Sequence, residues 1–265
     1  MPQNSILAGG EAARLGVSSC GPLEPGRVDE ETEVSFSLVF PLSGVFRVDD
    51  GTDRLSATPA KVLFFSRGRS LLISHPVGGH DMSLFISVSS ELAGPFLDDR
   101  GSARRAAAAT RAETDLELRS MMSAARFGQL TPLDIESFAV ETFHLLANTN
   151  GPERVAPGQQ RLVDETEEYL CAHLRSDCDL PTIARAVGAS PHHLSRMFKM
   201  ITGESLSRRR MRLRLNEAMR QIDEGADDLS RVAVDSGFYD HSHLSNSFRA
   251  HLGLSPTATR SRLSR

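Results

Sequence analysis

The chain has 265 residues, of which 40% are hydrophobic and 24% charged, as in a globular protein with one large domain or two modest ones. Its net charge of −4 excludes a chain that is basic throughout, although residues 158–265 hold 16 Lys and Arg against 14 Asp and Glu. Three scattered cysteines without a CxxC pair indicate neither a disulfide framework nor a zinc site, and no stretch approaches the roughly 20 apolar residues of a membrane span.

Residues 34–89 alternate apolar and polar side chains with a period of two, which is typical of half-buried β-strands. In VSFSLVF, for example, Phe36, Leu38 and Phe40 alternate with serines. The segments GVFRVDDG, KVLFF, SLLISHP and DMSLFISVS follow, with Gly, Pro or Asp between them. This pattern predicts a small antiparallel barrel or sandwich.

The periodicity becomes helical from about residue 103. The segment ARRAAAATRAETDLELRSMMSAARF is rich in good helix formers and predicts a helix that ends near Gly128. A second predicted helix begins with Thr131 as its N-cap and Pro132 at its first position. These two helices, over about 103–148, are strongly apolar on one face, and we expect them to pack together and on a second subunit.

The composition changes again between residues 148 and 160, where Gly, Pro and polar residues show no periodicity. We predict a domain at 1–150, a linker at 151–158 and a second, helical domain at 159–265. The predicted fold class is α+β: an N-terminal antiparallel β domain with two helices, followed by an all-α domain.

The helical domain contains an internal repeat. The segment DLPTIARAVGASPHHLSRMFKMITGESL is matched about fifty residues later by DLSRVAVDSGFYDHSHLSNSFRAHLGLSP. Asp179 and Asp228 occupy equivalent N-cap positions, and Gly188 and Gly237 end the first helix of each copy. A short helix, a turn with Gly and a second capped helix make up a helix-turn-helix unit. Two units in register, joined by a predicted helix over 205–222, indicate a double helix-turn-helix.

These residues resemble the DNA-binding domain of the AraC/XylS family of bacterial transcription regulators over about 100 residues. The linking segment RMRLRLNEAMRQI belongs to the same resemblance. The resemblance implies that the second helix of each unit enters the major groove of double-stranded DNA. It also implies an N-terminal domain with a cupin-like fold for effector binding and dimerisation, and RNA polymerase as a further partner.

The repeated apolar residues form the inner face of each second helix, so the variable polar ones are the candidates for reading bases. They are His192, Ser195 and Arg196 in the first unit and His241, Ser242 and Asn246 in the second. Ser245 is expected to face outward with the second set. Arg196 is the strongest candidate, because a guanidinium donates two hydrogen bonds to guanine. Many family members carry arginine where this chain has Asn246.

Positive side chains near the same helices are candidates for phosphate contacts. They are Lys199, Arg208, Arg209, Arg210, Arg212 and Arg249. Because RRRMRLR covers the full circumference of a helix, we expect only about half of them to face DNA. Arg214 is a candidate for an internal ion pair with Asp235.

Two other functions fit parts of the sequence. A drifted helix-turn-helix could be a protein-interaction module, and a cupin-like barrel could be a metalloenzyme. The N-terminal part offers only His75 and His80 as candidate ligands, in SHPVGGH, and no obvious third residue. We therefore predict neither catalysis nor a metal nor a cofactor, and we treat these two histidines as candidates for an effector site. The predicted protein is a cytoplasmic, homodimeric, DNA-binding regulator.

Overall fold

The computed structural model describes residues 3–23, 26, 28–32, 35–49, 51, 54–76, 79–98, 106–148 and 155–264. The chain divides into two compact units. Unit 1 comprises Met1–Thr110 and Met121–Thr149, and unit 2 comprises Arg111–Ser120 and Asn150–Arg265. Among the described residues, no helix is both long enough and apolar enough to cross a membrane.

Unit 1 is built on short strands that pair only in the antiparallel sense wherever the structure describes their partners. The strands are β1 (Gln3–Gly9), β2 (Ala13–Leu23), β3 (Val28–Thr32), β4 (Phe36–Ser43), β5 (Phe46–Asp49), β6 (Arg54–Ala57), β7 (Lys61–Phe65), β8 (Ser70–Ser74), β9 (Gly79–Val88) and β10 (Ala107–Ala109).

These strands form two sheets. One has six strands in the order β1-β2-β9-β4-β7-β10, and the other has four in the order β3-β8-β5-β6. A buried cluster that includes Phe46, Val48, Leu63, Phe65 and Leu71 joins strands of both sheets. Burial follows the period of two in β5, whereas β4 and β7 also bury residues between the predicted apolar positions, and the predicted antiparallel β architecture is confirmed.

The helical part of unit 1 packs through aromatic side chains. After β9 come α1 (Ser90–Ala93) and a 3₁₀ turn (Gly94–Phe96), and α3 runs from Pro132 to Asn148. On α3, the rings of Phe138 and Phe143 lie 5.7 Å from Phe40 and 5.6 Å from Phe64, both of the six-stranded sheet. As predicted, Thr131 caps this helix, since its Oγ1 accepts a hydrogen bond from the backbone N–H of Asp134.

Two predictions for this part of the chain need correction. Strands β1, β2 and β3 precede the predicted strand region, which began at residue 34. In addition, Ala107–Ala109 forms β10 beside β7 instead of a helix, and the helix α2 begins only at Ala112 and ends at Arg126. Alanine has a high helix propensity, but pairing to an open sheet edge outweighs that preference.

Unit 2 is helical throughout its described residues, as predicted. Its helices are α4 (Pro157–Ala172), α5 (Leu180–Ala186), α6 (Pro191–Thr202), α7 (Leu206–Asp223), α8 (Leu229–Asp235), α9 (His241–Leu252) and α10 (Pro256–Leu263), together with the first residues of α2. The fully buried Arg119 of α2 donates a hydrogen bond of 3.1 Å to Oδ1 of Asn216 on α7. Burial lowers the pKa of Arg119, although Asp223 and Asp115 oppose that effect.

Helix α7 contributes to two hydrophobic clusters on either side of it. Leu213 belongs to the first cluster, with residues of α4, α5 and α6. Leu215, Ala218, Met219 and Ile222 belong to the second, with residues of α2, α8, α9 and α10. The first helix-turn-helix unit (α5 and α6) and the second (α8 and α9) therefore each have their own core, and they share α7 as a common support.

Candidate functional site

Both helix-turn-helix units are held by the caps that the sequence predicts. Asp179 accepts a hydrogen bond from the N–H of Thr182 at 2.9 Å, and hydrogen bonds from the side chain and then the backbone of Thr182 lower the pKa of Asp179. Asp228 accepts from the backbone N–H groups of Ser230 and Arg231. Such caps fix where each first helix begins.

The second helix of each unit is capped as well. Ser190 accepts a hydrogen bond from the N–H of His193 before α6, and Asp240 accepts from the N–H of His243 at 2.7 Å before α9. The ring of His243 also lies edge-on against that of Phe238, with the ring centroids 5.3 Å apart.

The turn of the second unit depends on a glycine. Gly237 has φ +83°, and a Cβ at this position would lie 2.6 Å from the carbonyl oxygen of Leu174 and 2.7 Å from Nε of Arg214. Only glycine fits both the left-handed backbone and the close approach. The equivalent Gly188 has φ +67° but lies in open space, so there the backbone conformation alone favours glycine.

Helix α6 separates its buried and exposed residues cleanly. Leu194, Met197 and Phe198 are buried against the core. The predicted base-reading residues and one predicted phosphate residue are exposed: they are His192, Ser195, Arg196 and Lys199. Their spacing places these four side chains on one face of the helix, because residues three and four apart are neighbours on its surface.

Helix α9 has the same organisation. Its described exposed residues include the predicted ones, which are His241, Ser242, Asn246 and Arg249. Ser245, by contrast, is only 8% exposed, and its hydroxyl lies 3.4 Å from Nε2 of His241. The expectation that Ser245 faces outward is therefore wrong, because this residue lies on the side of α9 that faces the core.

The arginines of α7 divide into exposed and buried side chains. Arg208 is exposed, and its backbone N–H is bound by Ser205, the N-cap of the helix. Arg210 is partly exposed, and its Nη1 donates to the carbonyl oxygen of Cys178 at 2.7 Å. Arg210 also lies 3.9 Å from Asp177 and is 24% exposed, so of these two Arg208 is the more accessible.

Arg209 and Arg212 are corrections to the predicted phosphate set. Arg209 has 0% side-chain exposure and forms ion pairs with Glu167 and Glu204, and Arg212 is 7% exposed and also pairs with Glu204. Burial lowers the pKa of Arg212. For Arg209 burial acts in the same direction, but the two carboxylates outweigh it and raise the pKa. Both guanidiniums hold unit 2 together and do not reach its surface.

Arg214 is internal, as predicted, but its partners differ. It donates hydrogen bonds to the carbonyl oxygens of Leu174 and Ser176 and lies 3.8 Å from Asp177. Asp235, the predicted partner, instead lies near Arg175 and Arg231. Both carbonyls belong to the turn that follows α4, where they have no helical donor, and the guanidinium supplies one.

One exposed residue next to α9 was not predicted from the sequence. Tyr239, in the turn before α9, is 88% exposed, which is unusual for so large an aromatic side chain. It stands where the second copy of the repeat has one residue more than the first. That insertion is the signal in the sequence that could have identified it.

A cavity of about 210 Å³ lies in unit 1. It is lined by apolar side chains and by polar ones that include Ser37, Ser83, His75, Asp81 and Cys20. Of the two predicted effector-site histidines, His75 lines the cavity and is 2% exposed, whereas His80 is exposed and is not part of the lining.

Comparison with known proteins gives matches to regulators. The family model described as a helix-turn-helix domain matches residues 183–262. The MmsAB operon regulatory protein of Pseudomonas aeruginosa is 28% identical over 101 residues, which are 38% of this chain and 33% of that protein. The HTH-type transcriptional regulator GlxA of Rhizobium meliloti is 30% identical over 84 residues, or 32% and 26% of the two chains. The matches thus span a third or less of these relatives.

A solved structure of a transcriptional regulator from Chromobacterium violaceum, described by its AraC-type DNA-binding domain, is similar in sequence to part of the chain. It is 25% identical with a TM-score of 0.39, and the match covers 42% of this chain and 98% of that one.

Proposed function

We propose that the chain is a transcription regulator that binds specific sequences of double-stranded DNA, because residues 183–262 match a helix-turn-helix family model and resemble the AraC/XylS DNA-binding domain. The observation that carries this proposal is the pair of capped helices, α6 and α9, each with a buried apolar face and an exposed polar one. The matched relatives are named as regulators.

In this proposal α6 and α9 read bases from the major groove. Arg196 donates two hydrogen bonds to a guanine, and Asn246 pairs with an adenine. His192, Ser195, His241 and Ser242 lie beside them on the same exposed faces. Helix α7 has 18 residues and is about 27 Å long, which suits a spacer between two grooves about one turn, or 34 Å, apart.

The phosphate contacts come from the positive side chains that are exposed, or in the case of Arg210 partly exposed. Lys199 and Arg249 lie in the last turns of α6 and α9, and Arg208 and Arg210 lie at the start of α7. Four such contacts per chain predict that the logarithm of the binding constant falls with the logarithm of the salt concentration with a slope of about −3 to −4.

The experiment is a footprint of the full-length protein on the DNA upstream of its own gene, combined with salt-dependent binding to the protected duplex and to a scrambled duplex of equal composition. The proposal expects protection of two adjacent groove segments on one face and a preference for the protected sequence. A protein-interaction module would bind both duplexes weakly and equally, and this result would exclude DNA reading.

Unit 1 is proposed to control this activity by binding a small molecule in its cavity. The volume of about 210 Å³ lies below the roughly 300–1,000 Å³ of most drug-sized ligand sites, so the effector would be small. A homodimer is proposed as well, since Leu133 on α3 is 70% exposed and Phe127 is 59% exposed. RNA polymerase would be the further partner at a promoter, in the cytoplasm.

A further inference from the structure

Three side chains of types that bind metal ions, those of Cys20, His75 and Asp81, converge at the wall of the cavity in unit 1. Cys20 on β2 and Asp81 on β9 are direct partners across two neighbouring antiparallel strands. Such partners have their Cβ atoms about 4.5–5.5 Å apart and point to the same side of the sheet. His75 follows β8 of the other sheet, and its carbonyl oxygen accepts a hydrogen bond from Gly26. Two sheets thus supply one cluster.

The donor atoms of this cluster are close together. One ligand atom from each of Cys20, His75 and Asp81 lies within 4.8 Å of the others, and Nδ1 of His75 is 2.8 Å from Oδ2 of Asp81. In a tetrahedral site with bonds of 2.0–2.1 Å, neighbouring nitrogen and oxygen ligands are about 3.3 Å apart. The His75–Asp81 pair, at 2.8 Å, is already close to that value, and the 4.8 Å limit leaves room for a metal ion among the three groups.

The histidine is the informative member of the cluster. His75 is 2% exposed, yet neither of its ring nitrogens makes a hydrogen bond among the described residues. Its contact with Asp81 is short but misses the angles of a hydrogen bond. A buried imidazole without hydrogen bonds is costly, because its lost hydration is not replaced. A cation bound to one of the ring nitrogens would compensate for this lost hydration.

We propose that Cys20, His75 and Asp81 bind a divalent cation of the Zn²⁺ type, with a fourth position open toward the cavity. A thiolate, an imidazole and a carboxylate are the three ligand types that Zn²⁺ accepts, whereas Ca²⁺ and Mg²⁺ require oxygen ligands. The thiolate and the carboxylate also balance the charge of a divalent ion. Three protein ligands and an open position are the arrangement of zinc sites that bind a further molecule.

This site goes beyond the proposed regulation of transcription and does not depend on DNA binding. It also differs from the prediction that no metal binds, which rested on finding only two histidines as ligands. Strand pairing supplies the other two, since Cys20 and Asp81 are 61 residues apart in the chain but opposite each other in the sheet.

The test uses full-length protein without a histidine tag, reduced and freed of metal, and titrates it with Co²⁺ alone as a spectroscopic probe. The proposal expects one Co²⁺ per chain, the intense visible absorption of a tetrahedral site, a thiolate charge-transfer band, and displacement of both signals by Zn²⁺. Zn²⁺ should also raise the melting temperature of the wild-type protein, because a ligand that binds only the folded state stabilises it.

The variants assign the ligands. Cys20→Ser should remove the charge-transfer band, and Asp81→Asn and His75→Asn should each weaken Co²⁺ binding by more than the roughly 10–100-fold that loss of an outer-shell group costs. Cys178→Ser, which removes a thiol of unit 2, and His80→Gln are matched controls and should bind as the wild type does. Circular dichroism of the metal-free variants checks that they fold.

Two results would overturn the proposal. One is a wild-type protein that gives no tetrahedral Co²⁺ spectrum and no melting shift with Zn²⁺, a result that needs no variant. The other is a charge-transfer band that persists in Cys20→Ser or disappears in Cys178→Ser. Because no step of this test involves DNA, its failure leaves the proposed regulatory function untouched, and the footprint tests that function separately.

Discussion

The side chains of Arg209 and Glu167 form an ion pair in which both have 0% exposure, although 42 residues separate them in the chain. Glu204 lies on the other side of the guanidinium and also pairs with Arg212. This four-member network ties the start of α7 to α4 and to the loop after α6. An arginine that sequence reasoning assigns to DNA is thus part of the support of the first helix-turn-helix unit.

Arg209→Ala is expected to destabilise unit 2 by about 3–5 kcal/mol, because the change leaves the Glu167 carboxylate buried without its partner. Urea unfolding of the full chain, followed by helical circular dichroism, measures this loss. The neighbouring Arg208→Ala is the control and should unfold as the wild type does. The double change Arg209→Met with Glu167→Leu should recover much of the stability, since two apolar side chains replace the pair. If Arg209→Ala unfolds as the wild type does but binds DNA more weakly, then Arg209 contacts phosphate after all.

Arg196→Ala should remove sequence preference at a single base pair of the footprint. We expect a loss of about 1–3 kcal/mol in discrimination at that position, since one bidentate contact to guanine disappears. Competition binding with duplexes that vary one base pair at a time locates the effect. Arg231→Ala is the control, because Arg231 is an exposed arginine on the first helix of the second unit and its side chain pairs at the surface with Asp235. An even loss across all duplexes would mean that Arg196 contacts phosphate.

Arg208→Ala should weaken binding to every duplex to a similar extent. The slope of the logarithm of the binding constant against the logarithm of the salt concentration should become shallower by about 1 unit, because one fewer counterion is released. Fluorescence anisotropy over a series of salt concentrations gives this slope. Arg126→Ala, at the end of α2 in unit 1, is the comparison and should leave the slope unchanged. An unchanged slope in Arg208→Ala would remove this residue from the interface.

Acid should destabilise unit 2 partly through Glu217. Burial alone would raise the pKa of Glu217, but hydrogen bonds from Arg220 and Gln221 outweigh it and lower that pKa. The unfolded chain therefore binds the proton more readily than the folded one. The stabilisation is present above the unfolded pKa of about 4.3 and is lost as the pH falls through the lower pKa of the folded state.

The measurement is the free energy of unfolding from urea titrations at a series of pH values. Glu217→Gln should show a weaker dependence on pH between about 5 and 3, because the group that exchanges the proton is gone. Glu165→Gln is the matched control, as Glu165 forms an exposed pair with Arg161. Equal pH dependence in the Glu217→Gln variant and the wild type would contradict the assignment.

Local signals in the sequence predicted unit 2 well. N-caps such as Asp179 and Asp228, and glycines such as Gly237, act within a few residues of their own position, so their pattern determines where helices begin and end. The exposed faces of α6 and α9 follow from the same helical period, and only Ser245 was assigned to the wrong side.

Features that depend on distant residues were not predictable in the same way. The segment RRRMRLR covers all sides of α7, so only the position of Glu167 on another helix decides that Arg209 is buried. Likewise, Ala107–Ala109 becomes a strand only because β7 offers an edge for pairing. Cys20 and Asp81 approach each other through strand register, which no spacing in the chain reveals.

The two hydrophobic clusters beside α7 have a consequence for how unit 2 opens. Leu213 belongs to the cluster with α5 and α6, and Leu215 belongs to the cluster with α8 and α9. The two helix pairs therefore pack on α7 through separate sets of contacts. Backbone amides of one pair should then exchange with solvent deuterium at a rate that is largely independent of the other pair, because each opens by breaking its own contacts. In the proposed regulator, one pair would then keep its contact with a duplex while the other pair opens.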